Sequence, residues 1–170
     1  MYEHTTFISK KQAQDYHEPY KRDQRIIISL TTPGDPDNDR PYSTYCKPAV
    51  LDVYTWKDIL RLEFHDKDPG NLKPGETDGY KLFNDDDAIK ILKFLKLHQA
   101  DTADAIVHCE AGISRSAAVS KFISIVYSLP FPESYSIYNK HVFSTLTRVY
   151  NECLYGEGPI AFEDLPRRTE

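Results

Sequence analysis

The chain has 170 residues, 40% of them apolar, and a formal net charge of −5 at pH 7. That length suits one domain with a substantial core, and no apolar run approaches the roughly eighteen residues of a transmembrane helix. A pI of about 5.7 gives no general attraction to nucleic acid or to an anionic membrane, so any bound anion must be held by a local field.

Met1-Tyr2-Glu3-His4 lacks the basic segment followed by an apolar one that marks a secretory leader. Cys46, Cys109 and Cys153 form no CxxC pair, which argues against a disulfide framework and against a zinc site. The expectation is a cytoplasmic, monomeric protein without cofactor or metal.

Residues 1–25 are polar with scattered aromatics, and a short surface helix is predicted over 10–16. Arg25 to Leu30 contains three consecutive isoleucines and reads as a buried strand. Residues 31–48 are rich in Pro, Gly, Asp and Asn, hence a loop long enough to overhang a site. Ala49 to Val53 reads as a second strand. Ile59 to Phe64 reads as a third, with Leu60, Leu62 and Phe64 on one face.

A second loop spans 65–80. Asn84 then caps a predicted helix over 85–98, with Asp85, Asp86 and Asp87 in its first turn and Ala88, Ile91, Leu92 and Leu95 on its inner face. The three acids face different directions and are read as compensating the helix dipole, not as metal ligands. Ala105-Ile106-Val107 is a short buried strand. A helix runs from Ser114 to about Leu129, a Pro130-Phe131-Pro132 break follows, and another helix falls within 134–154. Residues 156–170 read as a weakly ordered tail. Strands alternating with helices predict a single α/β domain, 1–170, with a mostly parallel central sheet and helices on both faces.

The chemistry concentrates in His108-Cys109-Glu110-Ala111-Gly112-Ile113-Ser114-Arg115-Ser116. Five residues between Cys109 and Arg115 suffice to close a loop whose backbone N–H groups converge on an anion. Glu110, Ala111, Gly112, Ile113 and Ser114 would form that cradle. Arg115 would grip two phosphate oxygens with its planar fork of donors. Gly112 would supply the turn or allow close backbone approach. A loop between a strand end and a helix N-terminus favours negative charge, and the same field favours a Cys109 thiolate, the form that attacks phosphorus. An isolated cysteine would more often be an inert core residue; Cys, Gly, Arg and Ser together in this context argue otherwise.

This segment resembles the His-Cys-x-x-Gly-x-x-Arg-Ser/Thr signature of the protein tyrosine and dual-specificity phosphatases. Its wording is closest to the dual-specificity branch and to compact bacterial or phage tyrosine-phosphatase-like proteins. The resemblance implies an α/β fold and a phosphocysteine intermediate. It assigns Cys109 as nucleophile, Arg115 as phosphate and transition-state clamp, Ser116 as the hydroxyl that stabilises the departing thiolate, and His108 as support for the loop. Glu110 departs from members acting on inositol phosphates, which tend to carry basic residues within the loop, and so counts against a highly anionic lipid headgroup.

Cleaving a phosphate monoester also requires a proton for the leaving oxygen. Asp66, Asp68 and Asp78 are the candidates. Asp66 directly follows a predicted strand, as the family's acid does; Asp78 lies nearer the family's usual distance from the cysteine; Asp68-Pro69-Gly70 reads as turn chemistry. Asp66 is favoured, because position after a strand is fixed by the fold whereas loop length varies. The chain lacks the Trp-Pro-Asp motif of the larger tyrosine-specific enzymes. The leading expectation is a phosphomonoesterase acting on phosphorylated protein or peptide, at phosphotyrosine and in scope also at phosphoserine and phosphothreonine. An RNA 5′-triphosphatase, a phosphate-recognition module without turnover and a rhodanese-like sulfurtransferase are the alternatives. The acidic chain makes a nucleic-acid partner unattractive.

Overall fold

The architecture is that of a computed structural model, which describes residues 1–34, 46–73 and 79–167. Four parallel strands form one sheet in the order β1-β4-β2-β3, where β1 is His4–Ser9, β2 Arg25–Thr31, β3 Asp58–Glu63 and β4 Asp104–Cys109. The register pairs Ser9 with Cys109 and Thr31 with Glu63, so all four strands end along one edge. This is the single-domain α/β fold with a parallel sheet that the alternating pattern predicts.

Successive side chains on a strand face opposite sides, and the two sides have separate cores. Ile26, Ile28, Leu30, Ala105 and Val107 face the larger core, which also takes Ala88, Ile91, Leu92 and Leu95 of α2 (Asp85–His98). Helices α3 (Arg115–Tyr127) and α4 (Lys140–Leu154) complete it through Val119, Phe122, Ile123, Val142, Leu146 and Val149. Ile27 and Ile106 face the smaller core with Ala13 of α1 (Lys10–Asp15) and with Ala49, Leu51 and Trp56. Helices do lie on both faces, but among the described residues the second has one short α-helix and its cover is largely irregular chain.

That irregular cover replaces the strand expected at Ala49 to Val53. Asp52 organises a turn instead: its carboxylate accepts from Tyr54 N at 2.9 Å and Thr55 Oγ1 at 3.0 Å, and its carbonyl from Thr55 N at 3.0 Å. Ala49 and Leu51 are buried and Val50 and Val53 exposed, an alternation that comes from plugging a sheet face with no ladder alongside. The sheet's fourth strand comes from β1, within the segment read only as polar. His4-Thr5-Thr6 makes a half-exposed edge strand against β4.

The Asp triplet is partly explained by the cap: Asn84 Oδ1 accepts from Asp87 N at 3.0 Å. Asp85 also pairs with Arg148 of α4. Burial pushes the Asp87 carboxyl upward, against a partial pull from the Asn84 cap and Lys90. In the segment after α4, Ile160 and Leu165 are buried in the main core, so this part of the chain is packed where a loose tail was expected. No helix among the described residues is long and apolar enough to cross a membrane.

Candidate active site

Cys109 is the last residue of β4, and Arg115 opens α3; the five residues between them form the loop at the strand-end edge of the sheet. Gly112 shows why the loop is so tight. Its φ is +70°, and a Cβ there would lie 2.5 Å from the carbonyl carbon of Ile8. The close approach that glycine permits is therefore to the end of β1, not to a ligand. Lys10 N donates to Glu110 O at 3.2 Å and fixes the other shoulder of the loop to the same strand end.

Among the described residues, no backbone N–H from Glu110 to Ser114 donates to an acceptor in the chain. Ser114 is the N-cap of α3, yet its hydroxyl makes no capping bond and donates instead to Asp66 Oδ1 at 2.8 Å. The helix start and the loop thus present donors that an anion could take, in the manner of a backbone nest.

Arg115 is 3% exposed, and its Nη1 donates to Phe64 O at 2.7 Å, which ties the guanidinium to the end of β3. Its Nε is buried and has no hydrogen-bond partner among the described residues. Asp66 Oδ2 lies 4.0 Å from it, too far for a hydrogen bond. A buried guanidinium N–H left unpaired is costly, and an oxyanion in the loop would satisfy it.

Cys109 Sγ and Ser116 Oγ are buried and 3.1 Å apart. A thiolate at Cys109 would accept from that hydroxyl. His108 stands on the opposite side of β4, where Nε2 is 2.8 Å from Ser29 Oγ of β2. Burial pushes its imidazole down to about 4, further helped by the positive charges of Arg61, Lys10 and Arg115, while the Cys109 backbone opposes the shift. His108 is therefore neutral at pH 7 and links two central strands beneath the loop.

Of the three aspartates, Asp66 alone meets the loop among the described residues. It leaves the end of β3, and its Oδ1 accepts from Ser114 Oγ and from Asn139 Nδ2, each at 2.8 Å. Asp68 turns away to cap a short 3-10 turn by accepting from Gly70 N at 3.0 Å. Asp78 lies outside the described residues, as does most of the loop expected to overhang the site, residues 35–45. No group of three His, Cys, Asp or Glu side chains suited to a metal is found among the described residues. Cys153 belongs to the main core and Cys46 Sγ donates to Pro33 O at 3.4 Å.

Two further residues escaped the sequence reading. Asn139, buried ahead of α4, accepts from Val142 N through Oδ1 at 2.9 Å, donates to Asp66 through Nδ2, and bonds Ser114 O through its backbone N–H at 3.1 Å. An asparagine before an amphipathic run is a legible cap; its contact with residue 66 is not. Tyr135 donates to Ile113 O at 2.7 Å and meets the ring of Phe7 edge-on at 4.9 Å. Burial, and then the charge of Cys109, pushes its phenol upward. Compared with known protein families, curated proteins and solved structures, the chain matches none.

Proposed function

We propose that this chain is a cysteine-dependent phosphomonoesterase that hydrolyses phosphotyrosine in proteins through a phosphocysteine intermediate. Arg115 carries the reading. A guanidinium anchored through Nη1, with Nε buried and unpaired beside a loop of unclaimed N–H groups, has the donor set a phosphoryl group needs.

In the first step the Cys109 sulfur attacks phosphorus in line, the P–S bond forms and the ester P–O bond breaks. Asp66 delivers the proton that the departing oxygen requires. In the second step water attacks phosphorus and gives its proton to the Asp66 carboxylate, the P–S bond breaks, and the thiolate leaves accepting from Ser116. The N–H nest and Arg115 stabilise the equatorial oxygens throughout. The aromatic wall of Tyr135 and Phe7 beside Ile113 supports an aryl phosphate over an alkyl one.

The test is release of phosphate from p-nitrophenyl phosphate and from a phosphotyrosine peptide, with trapping of the acid-labile phosphocysteine by rapid alkaline denaturation. Cys109→Ser should abolish turnover and retain the fold, and Arg115→Lys should lower it about 10²- to 10³-fold, the usual cost of one lost transition-state donor. Full activity in Cys109→Ser would refute the reading. Phosphopeptide binding by the wild-type chain without turnover would make it a recognition module.

A further inference from the structure

Glu110 places an acid in the loop, but its carboxylate is engaged: Lys10 Nζ lies 3.3 Å from Glu110 Oε2. This ion pair stands at the edge of an open groove of about 360 Å³ lined by Lys10, Lys11, Gln14, Lys47, Val50 and Glu110. Among the described residues, neither Lys11 nor Lys47 has a carboxylate partner, in a chain of net charge −5. Its position relative to the loop is fixed. Ser9 pairs with Cys109 across β1 and β4, and the next residues, Lys10 and Glu110, are joined by both a backbone hydrogen bond and the ion pair. Glu110 directly follows Cys109, about 3.8 Å on between Cα atoms, and an extended peptide advances about 3.4 Å per residue. The groove therefore adjoins the loop that would hold a phosphoresidue.

Resting on the phosphatase reading, we infer that this groove is a specificity subsite for acidic residues flanking the phosphotyrosine of a peptide substrate, held by Lys11 and Lys47. The groove is open, and Lys11 and Lys47 in its lining suit a carboxylate on a short flexible side chain. Tyr135 flanks the loop from the α3 side, as its contact with Phe7 requires, while Lys10 and Lys11 belong to α1 on the opposite face of the sheet. The ring of the substrate and the side chains next to it are thus recognised on different sides of the loop.

The experiment compares phosphotyrosine peptides that differ only in carrying Glu or Gln beside the phosphoresidue, binding to the Cys109→Ser protein by fluorescence anisotropy. Exposed charge pairs are individually weak, so the acidic peptide should bind about three- to tenfold tighter, and high salt should erase the difference. K11E/K47E should abolish or invert the preference, K11Q/K47Q should leave it near unity, and thermal melting of both variants verifies that they are folded. Equal affinities for the two peptides, or a preference that survives both double variants, would overturn the inference. So would tighter binding of a peptide with a second phosphate there but none with Glu. Turnover of p-nitrophenyl phosphate by the wild-type chain is scored separately: without it the phosphatase reading fails, while an acidic preference erased by K11E/K47E still establishes the groove.

Discussion

Asn139 Nδ2 donates to Asp66 Oδ1 at 2.8 Å while Asn139 Oδ1 accepts from Val142 N at 2.9 Å, so a single amide both starts α4 and holds the proposed proton donor against the cysteine loop. The two jobs can be separated by chemistry. Serine is a good N-cap but too short to reach residue 66.

Asn139→Ser should therefore keep stability close to wild type, whereas Asn139→Ala should lose about 1 kcal/mol, the usual value of a helix N-cap. Both should slow turnover of phenyl phosphate, because the carboxylate loses a partner that positions it. Denaturant midpoints and steady-state kinetics on the same preparations check this. A serine variant with normal turnover would reduce Asn139 to a cap.

Gly112→Ala should destabilise the chain by about 2 kcal/mol or more. Two costs combine: a side chain at φ +70° and a Cβ forced against the Ile8 carbonyl. The strain is relieved only if the loop lifts from β1, which displaces the N–H nest. The melting temperature and phosphate affinity should fall together, and loss of affinity without loss of stability would mean that the glycine serves the ligand alone.

His108 makes stability depend on acidity. Its folded-state value is depressed from 6.5 to about 4, so the unfolded chain binds the proton first as pH falls. The stability it contributes is complete above about 6.5 and is lost progressively toward 4, amounting to about 2 kcal/mol by pH 5. Denaturant unfolding at pH 7 and pH 5 should reveal this slope in wild type and a shallower one in His108→Gln. An identical slope in the variant would assign the effect to other groups.

What could be read from the residues alone follows their physics. The period-3.6 face of α2, its Asn84 cap and the isoleucine run of β2 are strong local signals, and each element lies where they predict. β1 was missed because an edge strand buries little: Thr5 and Thr6 carry β propensity without the apolar alternation of a half-buried strand. Residues 49–53 read as a strand and are not one, because Ala49 and Leu51 alternate with exposed residues for a tertiary reason, the plugging of a sheet face. In the candidate site, the Cys109 loop is contiguous in sequence and hence legible. Asn139 and Tyr135 reach it only through folding of α4 and its approach, contacts that no local pattern encodes.

The last prediction concerns Asp66 and the proton. An amide at that position can still accept from Ser114 and Asn139 through its oxygen, so Asp66→Asn should fold normally while supplying no acid. Turnover of phenyl phosphate, whose leaving phenolate needs protonation, should drop about 10²- to 10⁴-fold, and that of p-nitrophenyl phosphate far less. General damage to the site would depress both substrates equally, which makes the leaving-group dependence the decisive measurement. The alkaline limb of the pH profile should flatten in the variant, because that limb reports loss of the acid, while the acidic limb set by the nucleophile persists. Asp68→Asn should behave as wild type in turnover, since its carboxylate serves the Gly70 turn. If Asp78→Asn, and not Asp66→Asn, produces the leaving-group effect, the phosphocysteine chemistry stands and the proton comes from the second loop.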